Sequence, residues 1–173
     1  MQGGSPHPEP TGLDLDPDDE IESVEVLVAP DPEDSDDRTS GHDGIGTRRE
    51  ARERALSLLY EAEQRDLHPL GRVLDDLPVT PDEFAVGLVQ GVSSDQERID
   101  AMISEYSRSW PLERMPAIDR ALLRLGVYEL TGSEVPTGAV ISEAVVLAKR
   151  YSTDESHKFV NGMLARIAED LRG

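Results

Sequence analysis

Residues Val135 to Leu171 read VPTGAVISEAVVLAKRYSTDESHKFVNGMLARIAEDL, two apolar helical runs separated by a polar hinge. The first run sets Val140, Ala144, Leu147 and Tyr151 on one face, with Ile141, Val145 and Ala148 beside them, which makes a broad apolar stripe. Pro136 suits the entrance of that helix, where its missing N–H is not needed. The second run repeats spacings of three and four through Phe159, Val160, Met163, Leu164, Ile167, Ala168 and Leu171. Ser152, Thr153 and Asp154 each qualify as its cap. The hinge itself, Lys149 to Lys158, is polar and charged, and joints held between rigid helices are where binding side chains collect.

Upstream, the same spacing recurs. Thr47-x-x-Glu50 has the form of a capping box, and Ala51, Ala55, Leu59 and Ala62 follow on one face, so a first helix is expected to about Arg65. His68-Pro69 breaks it, and Leu70 to Leu77 predicts a short second helix with Val73, Leu74 and Leu77 on one side. Thr80-Pro81-Asp82-Glu83 combines a cap, a Pro at the first helical position and a capping-box Glu, opening a third helix that buries Phe84, Leu88, Val89 and Val92. Ser94-x-x-Glu97 repeats the device for a fourth, with Ile99, Met102, Ile103 and Tyr106 inward. Trp110-Pro111 and Met115-Pro116 bracket a turn. Ile118 to Leu130 is then apolar on nearly all sides, the mark of a helix at the centre of a bundle, and Gly132 closes it. With no strand pattern and no internal repeat after residue 46, the expectation is a single all-α domain of seven helices over residues 47–173.

Residues 1–46 differ in kind. Rich in Pro, Gly, Asp, Ser and Glu, they hold too few large apolar side chains to offset the entropy of ordering, and a disordered tail is expected. Val24, Val26 and Val28 alternate like a short strand, but no second strand is available to pair with them. The tail carries nine Asp and five Glu against Arg38 alone, so it accounts for −13 of the net charge of −19. The helical region is therefore only mildly acidic. A local basic cluster can still meet phosphate there, because salt screens charges beyond about 10 Å. Cysteine is absent, which excludes disulfides, thiol nucleophiles and cysteine-ligated metals. The start shows no basic segment followed by an apolar core, and no run reaches membrane-spanning length. A soluble cytoplasmic protein with no membrane partner is expected.

Two groups of side chains could carry chemistry. Arg48, Arg49 and Arg52 crowd the first turns of the first helix, where cations oppose the helix dipole, and spacings of three and four concentrate them into a patch suited to phosphate. Taken alone, such a patch also reads as a solvated face paired with Glu50 and Glu53. The hinge mixes Lys149, Arg150, His157 and Lys158 with Tyr151 and Phe159, the combination of cations and aromatic rings that single-stranded RNA requires. By helical spacing, Tyr151 and Phe159 equally read as core. No G-x-G-x-x-G, Walker A or H-E-x-x-H sequence occurs, and His7, His42, His68 and His157 fall at no metal-ligand spacing. No catalytic residue, metal site or cofactor is expected.

Three stretches, TRREARERALSLLYEAE, PAIDRALLRLGVYEL and VPTGAVISEAVVLAKRYSTDESHKFVNGML, resemble the motifs of the NusB family of transcription antitermination proteins, in order and at suitable distances. The resemblance runs from residue 47 to about 171, and SHKFVNG with its preceding helix is its most specific part. It implies an all-helical fold of two small bundles packed together. It also implies binding to single-stranded boxA RNA of ribosomal RNA transcripts, jointly with the small-subunit ribosomal protein that doubles as NusE, in a complex that keeps RNA polymerase from terminating. Residue by residue, the family's basic arm falls on Arg48, Arg49 and Arg52, with Glu50 where some relatives carry another arginine. Its first aromatic is Tyr60. Asp119 and Arg124 take the central positions associated with RNA and NusE, and Glu155, Lys158 and Phe159 match the hinge contacts. Relatives occur as monomers and as homodimers, and the sequence selects neither. Two other functions remain beside the leading one: a helical accessory domain of an RNA-methylating enzyme, and an adaptor that binds protein alone.

Overall fold

The spacings of three and four fold into six α-helices in the computed structural model, which describes residues 45–173. These are α1 (Ile45–Gln64), α2 (Glu83–Ser94), α3 (Gln96–Tyr106), α4 (Ala117–Gly132), α5 (Thr137–Tyr151) and α6 (Ser156–Arg172). Short 3-10 helices occupy Leu70–Leu74 and Leu112–Arg114, and no strand occurs among the described residues. The count of seven helices fails at the second, where Leu70–Leu74 forms only a 3-10 piece. Leu70 and Val73, three apart, still bury themselves beneath it, as the three-residue turn of a 3-10 helix allows. The expected tail, with its Ile21–Val28 segment, lies outside the described residues except for Ile45 and Gly46, which already belong to α1.

α4 is the centre, as its all-round apolarity predicts. It packs against each of the other five helices, α1, α2, α3, α5 and α6. The two small bundles therefore share one helix, and their buried side chains form one continuous core. Two glycines permit the approach. A β-carbon at Gly126 would lie 2.7 Å from both methyl carbons of Leu164 on α6, and one at Gly91 on α2 would meet the Tyr128 ring at 2.1 to 2.4 Å.

Several helix ends differ from their expected signals. α1 begins two residues before Thr47, so Thr47 lies inside the helix. It ends on Asp66 at φ 53°, with Leu67 N–H donating to the Ala62 carbonyl at 2.9 Å and Asp66 N–H to that of Glu63 at 3.0 Å. This is a Schellman close, reached before His68-Pro69 could act. Asp82, not Thr80, caps α2, its carboxylate accepting from Phe84 N–H at 2.8 Å. Ser94 is the last residue of α2, and Asp95 precedes α3 without a side-chain cap bond. In each case several Ser, Thr or Asp residues stand in a row, and local pattern does not choose among equivalent acceptors. The chain's end is tied more firmly: Arg172 donates to the carbonyls of Leu130, Glu129, Ser133 and Val135 at 2.7 to 3.0 Å, satisfying the open end of α4.

Because Gly126 is packed against Leu164, Gly126→Ala is expected to lower stability by about 1 to 3 kcal/mol through overpacking, read as a lower urea midpoint. Gly87→Ala, at an exposed helical site where a β-carbon meets nothing within 4 Å, should leave the midpoint unchanged or raise it.

Candidate nucleic-acid interface

The arginine arm is built on the first turns of α1, and its three members separate at once. Arg49 faces α5 and donates from Nε and Nη2 to the two carboxylate oxygens of Glu143, each at 2.9 Å. That hydrogen bond raises the Arg49 pKa above its already high ordinary value, against a smaller opposing effect of burial. Arg52 turns inward. Only 6 % exposed, it holds Glu129 of α4, itself 3 % exposed, through three contacts of 2.7 to 3.1 Å. Arg48 is exposed, and like Arg52 it lies over the Phe84 ring of α2, the two guanidinium carbons 5.4 and 5.3 Å from the ring centre. The expectation that all three offer free charge to phosphate is thus corrected for Arg52, which is buried and fully engaged; Arg49 is half-buried and already bidentate.

One turn beyond Arg49, Glu53 joins the arm to the hinge. Its carboxylate accepts from Arg150 Nη1 at 3.1 Å and from the Tyr151 hydroxyl, both at the end of α5. Tyr151 is 45 % exposed, so its place in the apolar spacing of α5 does not make it core. Tyr60, 39 % exposed, stands seven residues after Glu53 and so on the same stripe of α1. Arg49, Glu53 and Tyr60 accordingly share one stripe of α1, and Glu53 ties that stripe to the end of α5.

The hinge is held from below by Asp119. This carboxylate, 1 % exposed at the first turn of α4, accepts from the hydroxyls of Ser152 and Ser156, the latter at 2.9 Å. Ser156 Oγ in turn accepts from Thr153 N–H at 3.2 Å, which bends the chain into α6. Asp119 therefore shapes the hinge from inside, and it is not available as an acceptor for a base. The same correction applies to Arg124, 6 % exposed, which grips Asp100 of α3 at 2.7 and 2.9 Å and Glu63 of α1 at 2.9 Å. Arg120 joins that cluster through Glu63, and burial together with the neighbouring Arg124 charge lowers its pKa.

What remains open lies above the hinge. The side chains of Glu155 and Lys158 are 79 % and 68 % exposed and sit 3.3 Å apart, a pair too solvated to hold either one. Phe159 is half-buried, its ring 4.7 Å from that of Trp110 at an interplanar angle of 58°. Sequence spacing missed Trp110, which it assigned only to a turn. It also missed Glu129 and Glu143, which lie 77 and 94 residues from the arginines they engage and give no local signal. Among the described residues there is no group of three or more His, Cys, Asp or Glu placed to hold a metal ion. No helix among them is long and apolar enough to cross a membrane.

The family model described as "NusB family" matches residues 49–169. The chain belongs to the NusB family. A protein of Kineococcus radiotolerans called transcription antitermination protein NusB is 55 % identical over 131 residues, covering 72 % of this chain and 95 % of the relative. The protein of the same name from Saccharopolyspora erythraea is 48 % identical over 131 residues, covering 72 % and 88 %. Among solved structures, T. maritima NusB superposes with a TM-score of 0.66 at 35 % identity, covering 71 % of this chain and 91 % of that one. A chain from the crystal structure of antitermination factors NusB and NusE in complex with dsRNA gives a TM-score of 0.62 at 30 % identity, covering 73 % and 99 %. The NusB match takes in every site residue named above except Arg48, which stands one residue ahead of it.

Glu129→Ala would leave the Arg52 guanidinium buried without a partner, and a loss of about 3 to 5 kcal/mol of stability is expected in chemical denaturation. Glu53→Ala, which removes only half-exposed contacts, should cost under about 1 kcal/mol.

Proposed function

We propose that this NusB-family chain is a non-catalytic transcription antitermination factor. It binds the unpaired boxA segment of ribosomal RNA transcripts jointly with NusE, within the complex that keeps RNA polymerase from terminating. The observation that supports this reading is the contact of Glu53, one turn after Arg49, with Arg150 and Tyr151, which ties the first turns of α1 to the hinge at the end of α5. The curated relatives called antitermination proteins, and the solved relative crystallised with NusE and double-stranded RNA, support the same assignment.

In this reading Arg48 and Lys158 take phosphates, and Tyr60 and Phe159 offer ring faces to bases. Glu155, an acceptor with most of its surface in water, reads a base amino group, since a carboxylate repels phosphate. Arg49 contributes through the half of its guanidinium that Glu143 leaves open. Arg52, Asp119 and Arg124 act from within, holding the arm and hinge in place. Stacking on exposed rings requires unpaired bases, which favours a single strand over a duplex.

A titration of boxA RNA in the presence of NusE tests the proposal. The double variant Arg48→Glu, Lys158→Glu is expected to bind more weakly. Its dependence of log affinity on log salt should flatten by about 0.7 for each phosphate that is no longer neutralised. Unchanged affinity and slope would refute it, and a duplex of the same sequence competing as well as the single strand would refute the preference for unpaired RNA.

A further inference from the structure

We infer that Trp110 and Phe159 together form one base-stacking subsite, and that Gly162 keeps the space above it open. The inference rests on the RNA-binding reading above and extends it to two residues that reading does not use. Trp110 projects from the connection between α3 and α4, while Phe159 lies on the first turn of α6, so the contact joins segments far apart in the chain. The rings are tilted at 58° with centres 4.7 Å apart, a favourable aromatic geometry, and each is half-buried. The core therefore holds one side of the pair while the other meets solvent. Trp110 is also fixed along the backbone: its N–H donates to the Ser107 carbonyl at 2.8 Å, and Pro111 follows. An aromatic platform rigid before binding loses little entropy when a base settles on it.

Gly162 supplies the second observation. One turn beyond Phe159, it falls on the helix surface between the directions of Lys158 and Phe159. It is exposed, and a β-carbon there would meet nothing within 4 Å. Packing against the body thus does not require glycine at this place, and in an exposed helix interior glycine is less stable than alanine by about 1 kcal/mol. Gly87 and Gly138 are equally unobstructed, but of the three Gly162 alone adjoins Lys158 and Phe159 on α6, where the missing side chain leaves room for another molecule to approach. Lys158 borders the same opening with its ammonium largely in solvent, placed for the phosphate of the stacked nucleotide. The ligand is an unpaired base of the bound strand, held by ring contact rather than by edge hydrogen bonds, and so with little preference among the four bases.

Trp110 is the sole tryptophan of the chain, so fluorotryptophan incorporated into this protein gives a single fluorine resonance. Single-stranded boxA RNA is titrated into the preassembled complex of this chain with unlabelled NusE, and affinity is measured in parallel by anisotropy of labelled RNA. The resonance should shift with the same midpoint as the anisotropy. Trp110→Ala should weaken binding about tenfold, Trp110→Phe should retain most of the affinity, and adding Phe159→Ala to Trp110→Ala should cost little more, because the two rings act as one unit. Gly162→Leu should weaken binding by a similar factor while leaving the melting temperature unchanged or higher. That combination is one a purely structural role for the glycine does not produce. If Trp110→Ala does not fold, the resonance and Gly162→Leu decide the matter. Full affinity in Gly162→Leu with an unmoved resonance would overturn the subsite while leaving RNA binding intact. A wild-type complex that takes up no RNA would instead overturn the reading beneath it.

Discussion

Three charged side chains buried along α4 govern how the outer helices sit. Asp119, Arg124 and Glu129 are 1 %, 6 % and 3 % exposed. They are spaced by five residues, so each is turned about 140° from the one before. The three therefore face different directions. Asp119 reaches the hinge serines, Arg124 reaches Glu63 of α1 and Asp100 of α3, and Glu129 reaches Arg52 at the start of α1. Removing an ion from water costs several kcal/mol, and only the arrangement that returns each charge to its partner offsets that cost. Apolar contact alone tolerates some sliding of one helix on another; a buried carboxylate that must meet a particular guanidinium does not.

The same condition determines what the surface can offer. The carboxylates that position the arm also engage its charge, Glu129 taking Arg52 entirely and Glu143 taking one edge of Arg49. In the proposed reading, attraction for an anionic strand then rests on the exposed cations Arg48, Lys149, Arg150 and Lys158, of which Arg150 is paired with Glu53 and Lys158 with Glu155. A field of this kind is short-ranged at physiological salt and orients a strand more than it gathers one from a distance. In the proposed reading, stacking therefore carries a larger share of the binding than the arginine content of α1 suggests. The rings of Tyr60 and Tyr151 are exposed and those of Trp110 and Phe159 half-buried.

The fold is readable in the sequence to the extent that it is local. Spacings of three and four locate all six α-helices, and the all-round apolarity of Ile118 to Leu130 identifies the central one. Helix starts are less readable. Thr80, Asp82, Ser94 and Asp95 are equivalent acceptors within a few residues of each other, and the choice among them follows from how the incoming loop is packed. The short segment after Pro69 reads as a helix because Val73, Leu74 and Leu77 share a helical face, but only Leu70–Leu74 winds, and as a 3-10 piece.

What the sequence determined by itself was the class of fold, the order of its helices, the position of the hinge and the family. All of these are carried by patterns among near neighbours in the chain. Tertiary structure alone decided which of the candidate residues are surface and which are support. Arg52 and Arg124 look like free cations until packing brings Glu129 and Asp100 against them, and Tyr151 looks like core until its ring is found at the edge of α5. Burial and ion pairing are properties of what lies across the interface between helices, and residues 77 or 94 positions apart leave no trace of that proximity in a helical period.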